Sequence, residues 1–462
     1  MFDMRKKQSG ETRLLSILLT AVLFLTAGCG PGGSSADTAS PKEDEFTEET
    51  SDASDALRVC VVDTQVRYSE EARGIFQAKY PDVNVELEIV PFENLEEEKT
   101  RISSELMAGE GCDLYINADY LLEDPYKAQQ AGAFADLVPL FQQYTDLGEE
   151  DFMPGTFDGL ENGEECYILP LTQSFSLLVI RKDMQEELGI SPDTWSGPED
   201  LNRCVATFYE KYPQEHALSL YESLYPPKEN YGFRIWKGKE NIRILKESDW
   251  QNGLDMEKRM RYPEGTYIGL RDDNTVEGYR KMEREEEKRF SNEVMCMGKL
   301  MIGFYNQENY IRMGGEEGAD LFPEYDAEGK ILTMGMTGVA IPQSSNKKEE
   351  AIHLVQELVR NYVAVGVTGT TWKEGNDILL ENLRKEFGSG EVNIEGTVYP
   401  GLTETTFEKL ERWIDQAEVY YPAYVELENG IYDRMEPYLT GEKTYEECMK
   451  EVEEFMEIYF SE

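Results

Sequence analysis

The sequence has few histidines and few basic side chains for its length. Two histidines occur in 462 residues, and 45 lysines and arginines stand against 92 aspartates and glutamates, which gives a net charge of −47. Such a surface repels the phosphate backbone of nucleic acids, so we expect no nucleic-acid partner. A large net charge of this kind is accounted for by solubility alone.

The short motifs of catalytic and cofactor-binding sites are also missing. The chain contains no His-Glu-x-x-His, no Gly-x-Ser-x-Gly, no phosphate-binding glycine-rich loop ending in Lys-Ser/Thr, and no Cys-x-x-Cys. We therefore predict no metal, no cofactor and no enzymatic activity. A glycoside hydrolase needs only two carboxylates, and among so many acids a pair at any spacing is uninformative. On the residues alone, that alternative stays open.

Long hydrophobic runs are absent too, apart from one near the N-terminus. Residues 14–27 form an apolar segment of 14 residues behind a basic start. This length suits the core of a signal peptide and is short of the roughly 18 residues that a membrane helix needs. The segment ends in Leu25-Thr-Ala-Gly-Cys29, which resembles the lipobox of bacterial lipoproteins. We predict that Cys29 is diacylated and becomes the mature N-terminus, the alternative being an ordinary signal peptide with a chance cysteine.

Residues 1–28 are thus interpreted as a lipoprotein signal peptide and 29–55 as a disordered tether. The tether consists of Gly, Ser, Thr, Asp and Glu with almost no apolar content. Six cysteines then remain, widely spaced and mostly within apolar runs, and we expect them to be buried free thiols. Fifteen full pairings are possible in an exported protein, and the spacing does not choose among them. These six are Cys60, Cys112, Cys166, Cys204, Cys296 and Cys448.

From residue 57 the chain alternates between strand and helix patterns. Strands are predicted at 57–63, 83–90 and 113–117, with a helix capped by Ser69 between the first two. This alternation is typical of an α/β fold with a doubly wound parallel sheet. Near the C-terminus we predict a helix over Thr403–Tyr420 and a final helix whose start is a capping box of Thr444 and Glu447.

One stretch, Tyr167–Arg181, is apolar, β-branched or aromatic at most positions, which predicts a buried strand. Because proline cannot donate to a central ladder, Pro170 predicts two strand pieces with a break near 170–174. We interpret the stretch as the point where the chain passes from one lobe to another and exposes Thr172, Gln173 and Ser174.

In this order, several segments resemble those of the extracellular solute-binding proteins of ATP-driven importers, in particular the sugar-type family 1. No single motif is specific to this family, but the order that the segments share with it, from about residue 57 to 455, is specific. The segments are Asp113-Leu-Tyr-Ile-Asn, Gly132-Ala-Phe-Ala-Asp-Leu-Val-Pro-Leu, Tyr167-Ile-Leu-Pro with Leu177-Leu-Val-Ile-Arg-Lys-Asp-Met, Pro192-Asp-Thr-Trp, Gly298-Lys-Leu-Met-Ile and Thr337-Gly-Val-Ala-Ile-Pro.

The resemblance implies a type II periplasmic-binding-protein-like fold, in which two α/β lobes joined by crossing hinge strands close around a ligand. The lobes would comprise residues 56–170 with about 333–368, and 171–332 with about 369–462. It also implies ligand-binding residues at strand ends that face the cleft, where polar groups and aromatic rings suit a sugar. Each has a packing or turn role as its alternative. They are Asp63, Gln65, Asn117, Asp119, Tyr120, Gln173, Ser174, Phe175, Tyr305, Asn306, Trp372 and Tyr399.

The expected function is capture of a sugar or oligosaccharide and its delivery to the permease subunits of an ABC transporter. The protein would be a monomer, held by lipidated Cys29 at the outer face of a Gram-positive cell membrane. A lipoprotein of the same fold that presents its ligand to a sensor, and a lipid-anchored carbohydrate-active enzyme, are the alternatives.

Overall fold

The structure is a computed structural model that describes residues 56–158, 165–189 except 175, 297–301 and 308–461, together with scattered helical positions between 203 and 258. Short gaps within the last range fall at 309, 313, 324, 326–328, 366–368, 389, 395 and 422–424. The predicted signal peptide, Cys29 and the predicted tether therefore lie outside the described residues.

The described strands and helices follow one another along the chain as predicted for an α/β protein. The strands are β1 (Leu57–Val62), β2 (Val85–Val90), β3 (Leu114–Ile116), β4 (Leu169–Ser174), β5 (Ser176–Arg181), β6 (Met297–Met301), β7 (Ala319–Pro323), β8 (Ile331–Ala340), β9 (Gly369–Thr370), β10 (Glu391–Ile394), β11 (Thr397–Pro400) and β12 (Ala417–Tyr420). The helices are α1 (Val66–Lys79), α2 (Leu95–Ala108), α3 (Ala118–Leu121), α4 (Pro125–Gln130), α5 (Leu137–Tyr144), α6 (Lys182–Leu188), α7 (Gly315–Gly318), α8 (Lys348–Val365), α9 (Lys373–Phe387), α10 (Glu404–Gln416), α11 (Val425–Thr440) and α12 (Tyr445–Tyr459).

A seven-stranded sheet is the centre of the fold. Its order is β2-β1-β3-β8-β4-β9, and β12 pairs with β8. The strands β2, β1 and β3 run parallel, whereas β8 is antiparallel to both β3 and β4. Apolar side chains cover both faces: α1, α5 and α8 pack on one, and α2 with α3 on the other. The doubly wound arrangement predicted from the alternating pattern is therefore confirmed.

The long strand β8 pairs with different neighbours along its length. Its C-terminal residues pair with β3, its middle with β4, and its first residues, 331–334, with β12. Glycine is required at Gly335, where a Cβ would lie 2.8 Å from Pro170 Cβ. Thr337 adopts a φ of 56°, which is rare for a β-branched residue, while β8 stays paired with β4 on both sides of it.

The predicted passage between two sheets is confirmed, but its details differ. β4 belongs to the large sheet and β5 to a three-stranded sheet of order β6-β5-β7. Positions 170–174 hold no break, because β4 runs through all of them and Pro170 is paired there with Gly338. Thr172 and Gln173 are buried rather than exposed, because β8 and β9 flank β4 at these two positions. The side chain of Ser174 lies outside the described residues.

Two predicted helix boundaries are wrong. The helix after β1 begins at Val66, so Ser69 lies inside it, and the Ser69 hydroxyl donates to the carbonyl of Gln65. The helix predicted over Thr403–Tyr420 ends at Gln416, and β12 follows directly. Burial alternates along β12, and pairing with β8 satisfies its backbone, so the tertiary partner outweighs the helical pattern.

The cysteines agree with the expectation of free thiols as far as the structure describes them. Cys60, Cys112, Cys166 and Cys448 are free and buried, and Cys204 and Cys296 lie outside the described part. Within that same part of the chain, the helices are too short or too polar to cross a membrane.

The predicted capping box is present at the start of α12. The Thr444 hydroxyl accepts from the Glu447 amide at 3.2 Å, and the Glu447 carboxylate accepts from the Thr444 amide at 2.9 Å. We expect Thr444→Ala to lower the free energy of unfolding by about 1 kcal/mol, because the first-turn amide loses its acceptor. Urea unfolding measures this, with Thr444→Ser as the control that keeps the hydroxyl. An equal loss in both variants would contradict a capping role.

Candidate functional site

The C-terminal ends of the three parallel strands meet at one edge of the large sheet. Asp63 follows β1, Phe92 is the second residue after β2, and Asn117 follows β3. Because the strands are parallel and in register, the side chains that follow them gather at this edge. Asn117 has a φ of 65°, a left-handed conformation that Asn tolerates better than most residues, and the chain turns sharply there into α3.

The strands that lead to the other sheet leave at the same edge. β4 and β8 both extend beyond the last pair of β3, Ile116 with Val339, so their polar residues lie past the ends of the parallel strands. The Gly338 amide donates to Asp119 Oδ1 at 3.2 Å and thereby ties the turn after β3 to β8. Thr172 Oγ1 on β4 and Thr337 Oγ1 on β8 lie 3.1 Å apart. This edge therefore joins the parallel strands to the connection between the two sheets.

Asp119 is the ionisable group at the centre of this edge. Burial raises the pKa of its carboxyl to about 6, although the Gly338 amide and Tyr421 act in the opposite direction. Tyr421 follows β12, and its hydroxyl lies so close to Gly338 that a side chain at that position would clash with it. Burial first, and then the Asp119 carboxylate, raise the pKa of Tyr421 well above its ordinary value. No hydrogen bond of normal geometry joins the two side chains.

An aromatic pair lies at the same edge of the sheet. The rings of Phe92 and Tyr120 are 6.2 Å apart between centroids and tilted by 52°. Tyr120 is 48% exposed, and among the described residues it is the aromatic side chain that stands out as exposed. Its ring offers an apolar face on the residue that follows Asp119, whose carboxyl offers a hydrogen-bond acceptor.

Two buried amide side chains at this junction have polar atoms without partners. Among the described residues, Asn117 Oδ1 and Gln173 Nε2 make no hydrogen bond. Gln173 is fully buried, accepts from the Thr333 hydroxyl, and has its Nε2 against Gly369. Buried polar atoms are nearly always hydrogen-bonded, so these two, with the nearby Tyr421 hydroxyl, mark places that a ligand could complete, although Gln129 and Arg384 carry such atoms elsewhere.

The predicted site residues fall into three groups. Asp63, Gln65, Asn117, Asp119 and Tyr120 come together at the sheet edge, whereas Gln173 is enclosed within the strand pairing. Trp372 is 8% exposed and packs in the core with α8, and Tyr399 packs on the second core from the β10–β11 hairpin, so both positions favour packing over stacking. Phe175, Tyr305, Asn306 and the side chain of Ser174 lie outside the described residues.

Four residues at this edge were not predicted. Phe92 was detectable, because it follows β2 much as Asp63 follows β1. In the sequence, Thr337 and Gly338 only begin the segment Thr337-Gly-Val-Ala-Ile-Pro, and Tyr421 only follows the predicted helix over Thr403–Tyr420. Thr337 and Gly338 reach the site through the pairing of β8 with β3 and β4, and Tyr421 through the pairing of β12 with β8. The sequence pattern has no signal for these pairings.

A cavity of about 200 Å³ lies elsewhere, between β7, α6 and α10. Lys182, Glu316, Asp320 and Lys409 contribute charged groups to its lining. Glu316 is occupied there, since it accepts from the amide and hydroxyl of Thr403 and from the hydroxyl of Thr406. None of the predicted ligand-binding residues lines this cavity.

Comparison with known proteins supports the predicted resemblance. Residues 63–203 match the family model described as bacterial extracellular solute-binding protein, which confirms the resemblance for that segment. No match was found among curated proteins.

Solved structures of low sequence identity share the fold. The sugar-binding protein MalE from Xanthomonas citri has a TM-score of 0.59 at 13% identity, over 88% of this chain and 97% of that chain. A sugar transporter from Rhizobium etli in an open conformation has a TM-score of 0.54 at 13% identity, over 87% of this chain and 99% of that chain. The two-lobe α/β architecture of periplasmic binding proteins is therefore confirmed.

The raised pKa of Asp119 predicts a pH dependence of stability. The folded-state pKa of about 6 lies above the ordinary 3.8, so the folded protein keeps a proton that the unfolded chain releases between these values. The resulting stabilisation is complete below about pH 4 and is lost as the pH rises through 6. Relative to Asp119→Asn, which cannot ionise, we expect the wild type to lose on the order of 2 kcal/mol between about pH 4 and pH 7.

Urea unfolding of both proteins across this pH range measures that difference. Asn keeps an oxygen that can accept from the Gly338 amide, so the variant changes the titration with little change of shape. A difference between the two proteins that stays constant with pH would contradict the assignment.

Proposed function

We propose that the chain is a lipid-anchored extracellular solute-binding protein that captures a sugar or oligosaccharide between its lobes and delivers it to an ABC importer. The observation that supports this most directly is the sheet edge, where Asp119 offers a carboxyl group and Tyr120 with Phe92 offers aromatic rings. A carbohydrate presents hydroxyls to the first and an apolar C–H face to the second. The solved relatives named above include a sugar-binding protein and a sugar transporter.

The proposal divides the body into two lobes that move against each other. Residues 56–170 with about 333–368 would form one, and 171–332 with about 369–462 the other, with residues 1–28 as signal peptide and 29–55 as tether. The passage of the chain from β4 of the large sheet to β5 of the small sheet, and the unusual φ of Thr337, support hinges near these boundaries. Closure of the lobes would also bring groups from the far lobe toward Asn117 Oδ1, which has no partner among the described residues.

The enzyme alternative has no support from the described histidine. His353 stacks on Tyr80 with ring centroids 4.8 Å apart and meets Tyr144 edge-on at 6.3 Å, as expected of a packing residue. His216 lies outside the described part. A sensor-coupled receptor would share the same cleft, so it differs from the transport proposal only in its membrane partner.

The ligand class is tested by thermal unfolding of the full-length chain in detergent against oligosaccharides, amino acids and peptides. A ligand at 100 times its dissociation constant adds about 2.7 kcal/mol to the free energy of unfolding, which raises the melting midpoint by a few degrees. We expect one saccharide class to raise the midpoint and to be recovered intact. Recovery of cleaved saccharide would favour the enzyme, and a shift by amino acids or peptides alone would overturn the carbohydrate proposal.

With that saccharide, titration calorimetry tests the site. We expect Asp119→Asn to weaken binding by about 10- to 100-fold at pH 7, because a bond to a charged acceptor is lost. Tyr120→Ala should weaken it by about tenfold through loss of the ring face. The control is Asp146→Asn, an acid paired with Arg360 in the helical layer on the opposite face. If the wild type and all three variants bind the saccharide with equal affinity, the ligand binds elsewhere.

The lipid anchor is tested separately in cells. We expect Cys29→Ser to abolish incorporation of labelled fatty acid and to release the protein from the membrane fraction, because no other segment of the sequence is proposed to hold it there. Cys448→Ser, which changes a buried thiol of α12, should keep the label. Labelling that persists without Cys29 would contradict the lipobox interpretation.

A further inference from the structure

Three side chains of the kinds that bind thiophilic metal ions lie together on one face of the large sheet. They are Cys60 on β1, Glu88 on β2 and Cys112 in the loop before β3. Their two sulfur atoms and a carboxylate oxygen all lie within 4.8 Å of one another. The cluster lies under α2 and is separate from the sheet edge described above.

The register of the sheet brings these side chains together. Cys60 and Glu88 are direct partners in the parallel pairing of β1 with β2, so their side chains project from the same face. Cys112 is held in place by its own loop: the Cys112 amide donates to the Tyr115 hydroxyl at 3.2 Å, and the Asp113 amide donates to the Arg58 carbonyl at 2.7 Å. The arrangement therefore follows from backbone pairing rather than from flexible side chains.

Burial and contacts suit a binding site that opens on one side. Cys60 and Cys112 are 1% and 5% exposed, whereas the Glu88 side chain is 29% exposed and gives a route from solvent. The Cys112 thiol donates to Glu88 Oε2 at 3.4 Å, so one pair of these ligand atoms is already in contact. The nearby apolar side chains of α2 keep bulk water away from the sulfur atoms.

Two arginines neighbour Glu88, and their charge is compatible with a bound cation. Arg58 contacts Oε2 at 3.1 Å and Arg101 contacts Oε1 at 2.7 Å. A divalent ion displaces the two thiol protons when it binds, so the total charge of the cluster does not change. Two thiolates and a carboxylate with one bound dication carry a single net negative charge, and the positive charge of Arg58 offsets it.

We propose that Cys60, Cys112 and Glu88 form a binding site for one thiophilic divalent cation of the zinc class. Two thiolates and a carboxylate are ligands that zinc accepts in tetrahedral sites, with solvent as the fourth ligand. With zinc–sulfur bonds of about 2.3 Å, tetrahedral sulfur atoms lie about 3.8 Å apart, so side-chain shifts of about 1 Å complete the geometry. The ion would tie β1, β2 and the loop before β3 together.

A disulfide between Cys60 and Cys112 is the competing outcome, since the two thiols are neighbours in a protein proposed to be exported. The two differ in the state of the sulfur atoms: the metal site needs both as thiolates, and the disulfide removes both as ligands. An experiment on the reduced and the untreated protein separates them.

The test uses the full-length chain in detergent, reduced with a phosphine and freed of metal, and titrated with Co²⁺ as the probe. We expect one equivalent to bind with thiolate-to-cobalt charge-transfer absorption and the intense visible bands of a tetrahedral site, and Zn²⁺ to displace it. Cys60→Ser with Cys112→Ser should lower the affinity more than about 100-fold, since even outer-shell changes cost about 10- to 100-fold. The matched control, Cys166→Ser with Cys448→Ser, changes two other buried thiols and should bind as the wild type does.

X-ray absorption of the zinc-bound wild type gives a second measurement that needs no variant. We expect two sulfur ligands per zinc, and Glu88→Gln should keep both while weakening binding. Absence of the charge-transfer band in the reduced protein, or an equal band in the Cys60→Ser/Cys112→Ser variant, would overturn the proposal. A disulfide between Cys60 and Cys112 that the phosphine reduces only after the protein is unfolded would also overturn the proposal, because the pair is then a structural disulfide. None of these outcomes depends on whether the chain binds a carbohydrate.

Discussion

The pairing of β8 with three different strands is the constraint on which the rest of the structure depends. Over ten residues the strand pairs with β12, β4 and β3, so it runs from beyond the C-terminal ends of the parallel strands back alongside β3. Gly335 and Gly338 permit this, because side chains there would meet Pro170 and Tyr421. Thr337, with its positive φ, directly precedes Gly338, whose amide donates to Asp119.

Several unusual local features of the described residues lie at that same edge. Asn117 and Thr337 are the non-glycine residues with positive φ among those described, and both lie there. Asp119 has a desolvated carboxyl, and Asn117 and Gln173 carry buried atoms without partners. Each feature costs stability by itself, so their coincidence in one place is better explained by a binding role than by folding. The thiol cluster beneath α2 shows the opposite character, because its groups contact one another and lie in regular strand register.

Much of the architecture follows from the sequence through local rules. Alternating apolar patterns identified β1, β2 and β3 with the helices between them, and Thr444 with Glu447 marked the start of α12. The errors occurred where a distant partner outweighed a local preference. Pro170 is accommodated within β4 opposite Gly338, and β12 was mistaken for the end of a helix because only β8 makes it a strand.

The sequence by itself determined the solute-binding resemblance, the α/β class and the strand ends at which Asp119 and Tyr120 lie, because chain order and period encode these directly. Only the tertiary structure decided which residues join them. Tyr421 reaches Asp119 across 302 positions of the chain, and Cys60, Glu88 and Cys112 meet through sheet register. Contacts of this kind depend on which strands pair and in what alignment, and pairing is a property of the whole folded chain rather than of any segment.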